Sequence, residues 1–263
     1  MSLSRPKFQT FESLEEAYHY GSQYLPKAGA TTVRLAPLLL EVPLFSVARN
    51  LGGTTIDETW TRKGRGTIRY RGPALTQSHQ TFFLALVHLR AGAPVGDIVE
   101  FAPHEMLKFM GWSDNGRNIQ KLRDMMNDMW RAEIDIWSAE ETERDALSVR
   151  FFSEKKAPTE HGKKWHVSLS DTVLHLFKGH LSQINLRKRA ELREGLATFM
   201  YGFLCANNGA LPFKFDDLRT ASGSKTSRPA AFAEQVVEAL ETLKAAGCVA
   251  RFKTEKDSVR VYH

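Results

Sequence analysis

Arg117, Gln120, Lys121 and Asp124 recur at three- and four-residue steps in the stretch GRNIQKLRDMMNDMW, while Ile119, Leu122, Met126 and Met129 form the opposing stripe. At about 100° per residue this is an amphipathic helix whose polar side carries a guanidinium, an amide, an ammonium and a carboxylate on its opening turns. Such a set supplies donors and acceptors for base edges in a major groove; a merely solvated face is the plain alternative. Covalent chemistry finds no comparable set. His104-Glu105 opens like H-E-x-x-H, but the fifth position is Lys108, so the second imidazole for zinc is absent. Gly223-Ser224-Lys225-Thr226 ends like a phosphate loop that lacks its Gly-Lys pair and its upstream glycine. The 9 histidines are scattered without zinc-type Cys/His spacing, and neither a nucleophile elbow nor a dinucleotide fingerprint occurs. Cys205 and Cys248 lie far apart, which suits reduced packing residues better than a disulfide framework. A non-enzymatic chain is expected, with no catalytic residue, cofactor or metal.

The neighbouring residues say what positions the polar face. Pro103 suits the first turn of a short helix, with Met106, Leu107 and Met110 on one side. Gly111 can take the left-handed conformation that ends it, and Ser113, Asp114 and Asn115 offer capping oxygens for the next helix. Residues 76–91 read as an amphipathic helix, 98–101 as a short strand, and Ile134, Ile136, Leu147, Val149 and Phe151 alternate as strands, followed by another at 165–169. Helix, strand, helix, turn, helix and β-hairpin in that order make a winged helix.

The series recurs near the C-terminus. Residues 187–207 read as one long helix, 212–215 as a strand, 216–221 as a helix closed by Gly223, and 227–246 as a second reading helix, with strands at 249–252 and 258–262. The fold expected is therefore α+β: an N-terminal extension (1–42) carrying a helix at 14–20, a first winged-helix domain (43–180) and a second (181–263). In the second module Lys225, Thr226, Ser227, Arg228, Ala231 and Gln235 stand at or near the reading-helix start, but Glu234, Glu238 and Glu241 occupy its outward face. Those carboxylates repel phosphate, so only the helix start is expected to enter a groove. Glu234 could instead accept from a cytosine amino group.

Charge distribution adds further candidates. The chain carries 36 Lys and Arg against 30 Asp and Glu, a net charge of +6, which favours a polyanionic partner. Lys155, Lys156, Lys163 and Lys164 fit a wing tip, Arg251, Lys253 and Arg260 a second wing, and Arg187, Lys188, Arg189 and Arg193 a basic cluster. Arg62, Lys63, Arg65, Arg69 and Arg71 form a run without one acid, placed near an anion or left solvated. Leu44-Phe45 faintly suggests a clamp-docking peptide, with packing under a domain the preferred reading. No apolar run approaches the roughly 20 residues of a membrane span, and the opening MSLSRPKFQTFESLEEAY lacks a signal core, so a cytoplasmic protein is expected.

The stretches IRYRGPALTQSHQTFFLALVHLRAGAPVGDIVEFAPHEMLKFMGWSDNGRNIQKLRDMM and LPFKFDDLRTASGSKTSRPAAFAEQVVEALETLKAAG resemble the TrfA-type plasmid replication initiators. The combination GPALTQSHQ, LVHL and F-A-x-H-E-x-L-K is more specific than a generic helix-turn-helix, and the similarity runs from about residue 43 to the C-terminus. The resemblance implies tandem winged-helix domains on repeated sites (iterons) in double-stranded plasmid origin DNA, duplex opening, and help in loading the host's replicative helicase and sliding clamp. It also implies self-association, with dimers in reserve and monomers active, on plasmid DNA in the bacterial cytoplasm. By matching position the reading roles fall on Arg117, Gln120, Lys121 and Asp124, and on residues 225–235. A winged-helix repressor and a winged-helix protein-interaction module are the alternatives.

Overall fold

A computed structural model describes Gly29 and residues 31–48, 51, 53–91, 97–138, 140–160, 162–177, 181–207 and 212–262. The helix expected at 14–20 lies outside the described residues. The chain opens with β1 (Thr32–Leu35) and α1 (Leu38–Glu41), then β2 (Thr55–Arg62), β3 (Gly66–Pro73) and α2 (Gln77–Leu89). Next come β4 (Ile98–Phe101), α3 (Pro103–Phe109), α4 (Gly116–Trp130), β5 (Glu133–Trp137), β6 (Leu147–Val149), β7 (Phe152–Lys156) and β8 (Trp165–Leu169). The remainder is β9 (Ser182–Asn185), α5 (Leu186–Glu191), α6 (Leu196–Ala206), β10 (Pro212–Lys214), α7 (Phe215–Ser222), α8 (Pro229–Ala245), β11 (Arg251–Thr254) and β12 (Ser258–Tyr262). The architecture is mixed helix and antiparallel sheet.

The order helix, strand, helix, turn, helix, strand, strand is present in both halves. The strand orders β4-β8-β7 and β10-β12-β11 match: the strand leading in pairs with the second arm of the hairpin that follows the long helix. Local chemistry explains the turns. Asn115 accepts from the Asn118 N–H at 2.9 Å to cap α4, and Gly111 (φ 71°) ends the preceding turn. Gly223 ends α7 in the left-handed region (φ 65°), where an added Cβ would stand 2.7 Å from Ser46 Oγ, so conformation and close approach both require glycine. α8 starts at Pro229, two residues later than expected, because proline at the first helical position needs no partner for its nitrogen.

Two expectations are corrected, the strand at residue 151 and the single helix at 187–207. Residues 133–137 and 147–149 are strands that pair with each other after α4, and together they extend the β2-β3 hairpin into the four-stranded sheet β2-β3-β5-β6. Alternation marks a strand without naming its partner; here Ile68 opposes Ile136, Tyr70 opposes Ile134 and Ile134 opposes Val149. β7 and β8 pair antiparallel as a separate hairpin, while Phe151 lies outside the strands, fully buried. The long helix at 187–207 is two, α5 and α6, parted by extended Leu192 and by Gly195 at φ 125°. Leu192 and Leu196 keep helical spacing across that break, which hides it from periodicity. The four arginines of the 61–72 run lie against carboxylates of other segments: Arg62 and Arg65 to Glu41 of α1 (3.1 and 3.5 Å), Arg69 to Asp57 and Glu143 (3.2 and 2.7 Å), Arg71 to Asp135 (2.9 Å).

The segment before residue 43 is also part of the core. β1 pairs with β9 across the expected 180/181 boundary, and Val33, Leu35, Leu39 and Leu40 are buried, each worth roughly 1.5–3 kcal/mol against exposure. Leu44 and Phe45 pack inside, where the Phe45 carbonyl accepts from Gln77 Nε2 at 2.6 Å. The next two residues hold the α7 end: Val47 N–H donates to the Ser222 carbonyl and Ser46 Oγ to that of Gly223, both at 2.9 Å.

Candidate nucleic-acid interface

Leu122, Met125, Met126 and Met129 fix α4 to the core and leave its opposite face in water. Arg117 is exposed and, among the described residues, has neither hydrogen-bond nor ion-pair partner. Gln120 and Asp124 are exposed one turn apart, and Gln120 Nε2 donates to Asp124 Oδ1 at 2.9 Å. That bond orients the amide. It leaves one N–H and Oε1 of Gln120 for an adenine edge, and the second carboxylate oxygen of Asp124 for a cytosine amino group. Lys121 is held over Trp112, its Nζ 3.7 Å from the ring centroid. Loss of water lowers its pKa below the ordinary lysine value, with Glu194 opposing.

The expected wing lysines separate into two groups. Lys156, Lys163 and Lys164 are exposed, the last two in loose surface pairs with Glu160 and Glu100 at 3.6 and 3.8 Å that contribute little. Lys155 lies against α4 instead. Its Nζ donates to Asn127 Oδ1 and lies 5.7 Å from the Trp130 ring centroid, on the seam between α4 and β7. Burial there, with Arg131 adding repulsion, lowers its pKa.

In the second half Lys225, Ser227 and Arg228 are exposed in the turn before α8, where free N–H groups and the helix dipole favour phosphate. Thr226 Oγ1 meets Gln235 Oε1 at 3.1 Å, tying the turn to the first turns of the helix, and Ala231 is half-buried there. Glu234, Glu238 and Glu241 are exposed along the same helix. Lys253 is exposed on β11; Arg251 lies over Tyr262 at 4.4 Å, and Arg260 is 3.9 Å from Glu255.

The basic cluster of residues 187–193 is not one surface. Arg187 and Arg193 are exposed, whereas Lys188 Nζ donates to the Gly247 carbonyl at 2.9 Å. Arg189, expected at DNA, is only 2% exposed. Its guanidinium donates to the Thr198 carbonyl (2.9 Å), Gln77 Oε1 (3.0 Å) and Thr81 Oγ1 (3.3 Å). Burial pulls its pKa down to about 10, with Glu194 opposing, so it remains charged at neutral pH. It is a strut between α2 and α6 and cannot reach a duplex.

Sequence reasoning passed over Arg123. Its guanidinium donates to the carbonyls of Ala157 and Pro158 and lies 4.8 Å from the Trp165 ring centroid. Nothing local announces this, because its partners are more than thirty residues away. Cys205 and Cys248 are free thiols, and burial raises both, Cys205 to about 11. Among the described residues no helix is long and apolar enough to cross a membrane, and no metal-binding group of three His, Cys, Asp or Glu stands together.

Residues 64–262 match the family described as TrfA protein. The plasmid replication initiator protein TrfA of Escherichia coli is 26% identical over 162 residues, 59% of this chain and 41% of that protein, so the match spans less than half of the relative. Two crystal structures of domains 2 and 3 of RctB share the fold at 11% identity. One has a TM-score of 0.54 over 79% of this chain and 83% of that one, the other 0.55 over 86% and 97%.

Proposed function

The chain belongs to the TrfA family of plasmid replication initiators, and from that premise we propose that it starts replication by binding repeated sites in double-stranded origin DNA through two winged-helix modules. The carrying observation is Arg117, exposed and without a partner among the described residues, beside the Gln120–Asp124 pair on the opening turns of α4. α3 and α4 form the first helix-turn-helix and the β7–β8 hairpin its wing; α7, α8 and the β11–β12 hairpin repeat the plan. The modules occupy residues 43–180 and 181–263, with the β1–β9 ladder lashing the preceding segment to the second.

Arg117, Gln120 and Asp124 read base edges. Lys156, Lys163, Lys164, Lys225, Arg228, Arg187 and Lys253 meet phosphate and supply the salt-dependent part of affinity. Two modules bound together to a repeat deform the duplex, and the strain falls on the neighbouring A·T-rich tract. Self-association and contacts with the host helicase and clamp complete the initiator's work in the cytoplasm.

The test is binding to duplexes bearing any tandem direct repeats found beside the coding region, across roughly 50–200 mM salt, where several phosphate contacts give a log–log slope of several units. A flat response sinks the DNA reading. Supply in trans should sustain a plasmid carrying that origin; tight binding without replication would make the protein a repressor on the same fold.

A further inference from the structure

Two independent ties join α4 to the wing. Arg123 forks to the Ala157 and Pro158 carbonyls, at the start of the loop that carries Lys163 and Lys164, while stacking on Trp165 where β8 begins. Lys155 reaches back from β7 to Asn127 and Trp130. Both ends of the wing loop are therefore anchored to the helix that carries Arg117, Gln120 and Asp124. A planar guanidinium suits this task because it can satisfy two carbonyls and one ring face together, which an ammonium cannot.

We propose that Arg123 is a positioning residue: it fixes the wing at a set distance from the reading helix, so that base readout by α4 and phosphate contact by Lys156, Lys163 and Lys164 occur in one register. This rests on the DNA reading above. Arg123 itself touches no base or phosphate. Without it the loop keeps its charges but loses their placement, so the wing's contribution to affinity is averaged away while the helix's base preference survives.

The experiment is a double-mutant cycle on the full chain, binding a repeat-bearing duplex across a salt series. Arg123→Met should cut specific affinity roughly tenfold and lower the log–log slope by about two, with the preferred sequence unchanged. The triple change Lys156→Ala, Lys163→Ala, Lys164→Ala should produce a similar loss. Combining the two should add little beyond either. Strict additivity overturns the proposal, because independent contacts add. Arg123→Lys keeps the charge but cannot bridge both carbonyls, so it should not restore the slope. Full rescue by lysine would mean that Arg123 is only a phosphate contact, and it serves as the test should Arg123→Met fail to fold. Absence of salt-dependent binding by the unaltered protein would sink the DNA reading and this inference together, whereas additivity in a protein that binds sinks the inference alone.

Discussion

The two halves share a strand order, a glycine-ended turn and a long helix after it, yet the helices present opposite chemistry. α4 exposes Arg117, Gln120 and Asp124 on its first turns. α8 concentrates its cations in the turn before Pro229 and exposes Glu234, Glu238 and Glu241 along its length. The scaffold repeats while the contact surface diverges, because the buried positions answer to packing and the exposed ones only to the partner. We expect the first module to read bases and the second to grip phosphate, and the predictions below are built to break that division.

The largest effect concerns the strut between the halves. Arg189→Ala leaves Gln77 and the Thr198 carbonyl without their buried partner, and should cost about 3 kcal/mol of stability in urea unfolding. A loss of a few tenths would mean that the halves are not coupled there. The sequence placed Arg189 among DNA contacts; a drop in salt slope without a drop in stability would restore that view.

The division itself is tested next. Arg117→Ala should weaken binding to the specific site by roughly 1–3 kcal/mol and blur one base position. Equal loss on specific and random duplex would show that Arg117 touches only phosphate. Lys225→Ala with Arg228→Ala should behave in the opposite way, weakening both duplexes alike and lowering the log–log slope by about two. Asp124→Ala sharpens the first case: the Gln120 amide, freed from its 2.9 Å bond, loses its orientation and the carboxylate's own base contact is lost, so discrimination at those bases should fall by about 1 kcal/mol or more with the slope unchanged.

Much of this division is legible in the chain. The stripe of Leu122, Met126 and Met129, the turn at Gly111, the cap at Asn115 and the stop at Gly223 are local signals, and local physics decides them. Partnership is not local. The 61–72 run has no acid within it, so the pairing of its arginines with Glu41, Asp57, Asp135 and Glu143 waits on segments that only the fold brings alongside. For the same reason Arg189 and Lys155 look like free cations in sequence and are held by partners in the structure, while Arg123 looks like filler and ties α4 to the loop between β7 and β8. A basic residue's type is written in the chain, but its exposure is decided by topology.

The smallest effect is the most direct reading of the acidic face. Glu234 and Glu238 are exposed one turn apart on α8, so each raises the potential energy of a phosphate backbone approaching that helix. If the second module grips only through its turn, Glu234→Gln with Glu238→Gln removes repulsion, and affinity should rise by a few tenths of a kcal/mol on specific and random duplex alike, as expected for solvent-screened charges. The opposite sign would be informative. Were Glu234 accepting from a cytosine amino group, the same pair of changes would weaken the specific site alone by about 1–3 kcal/mol. α8 would then read bases as α4 does, and its glutamates would be part of the code.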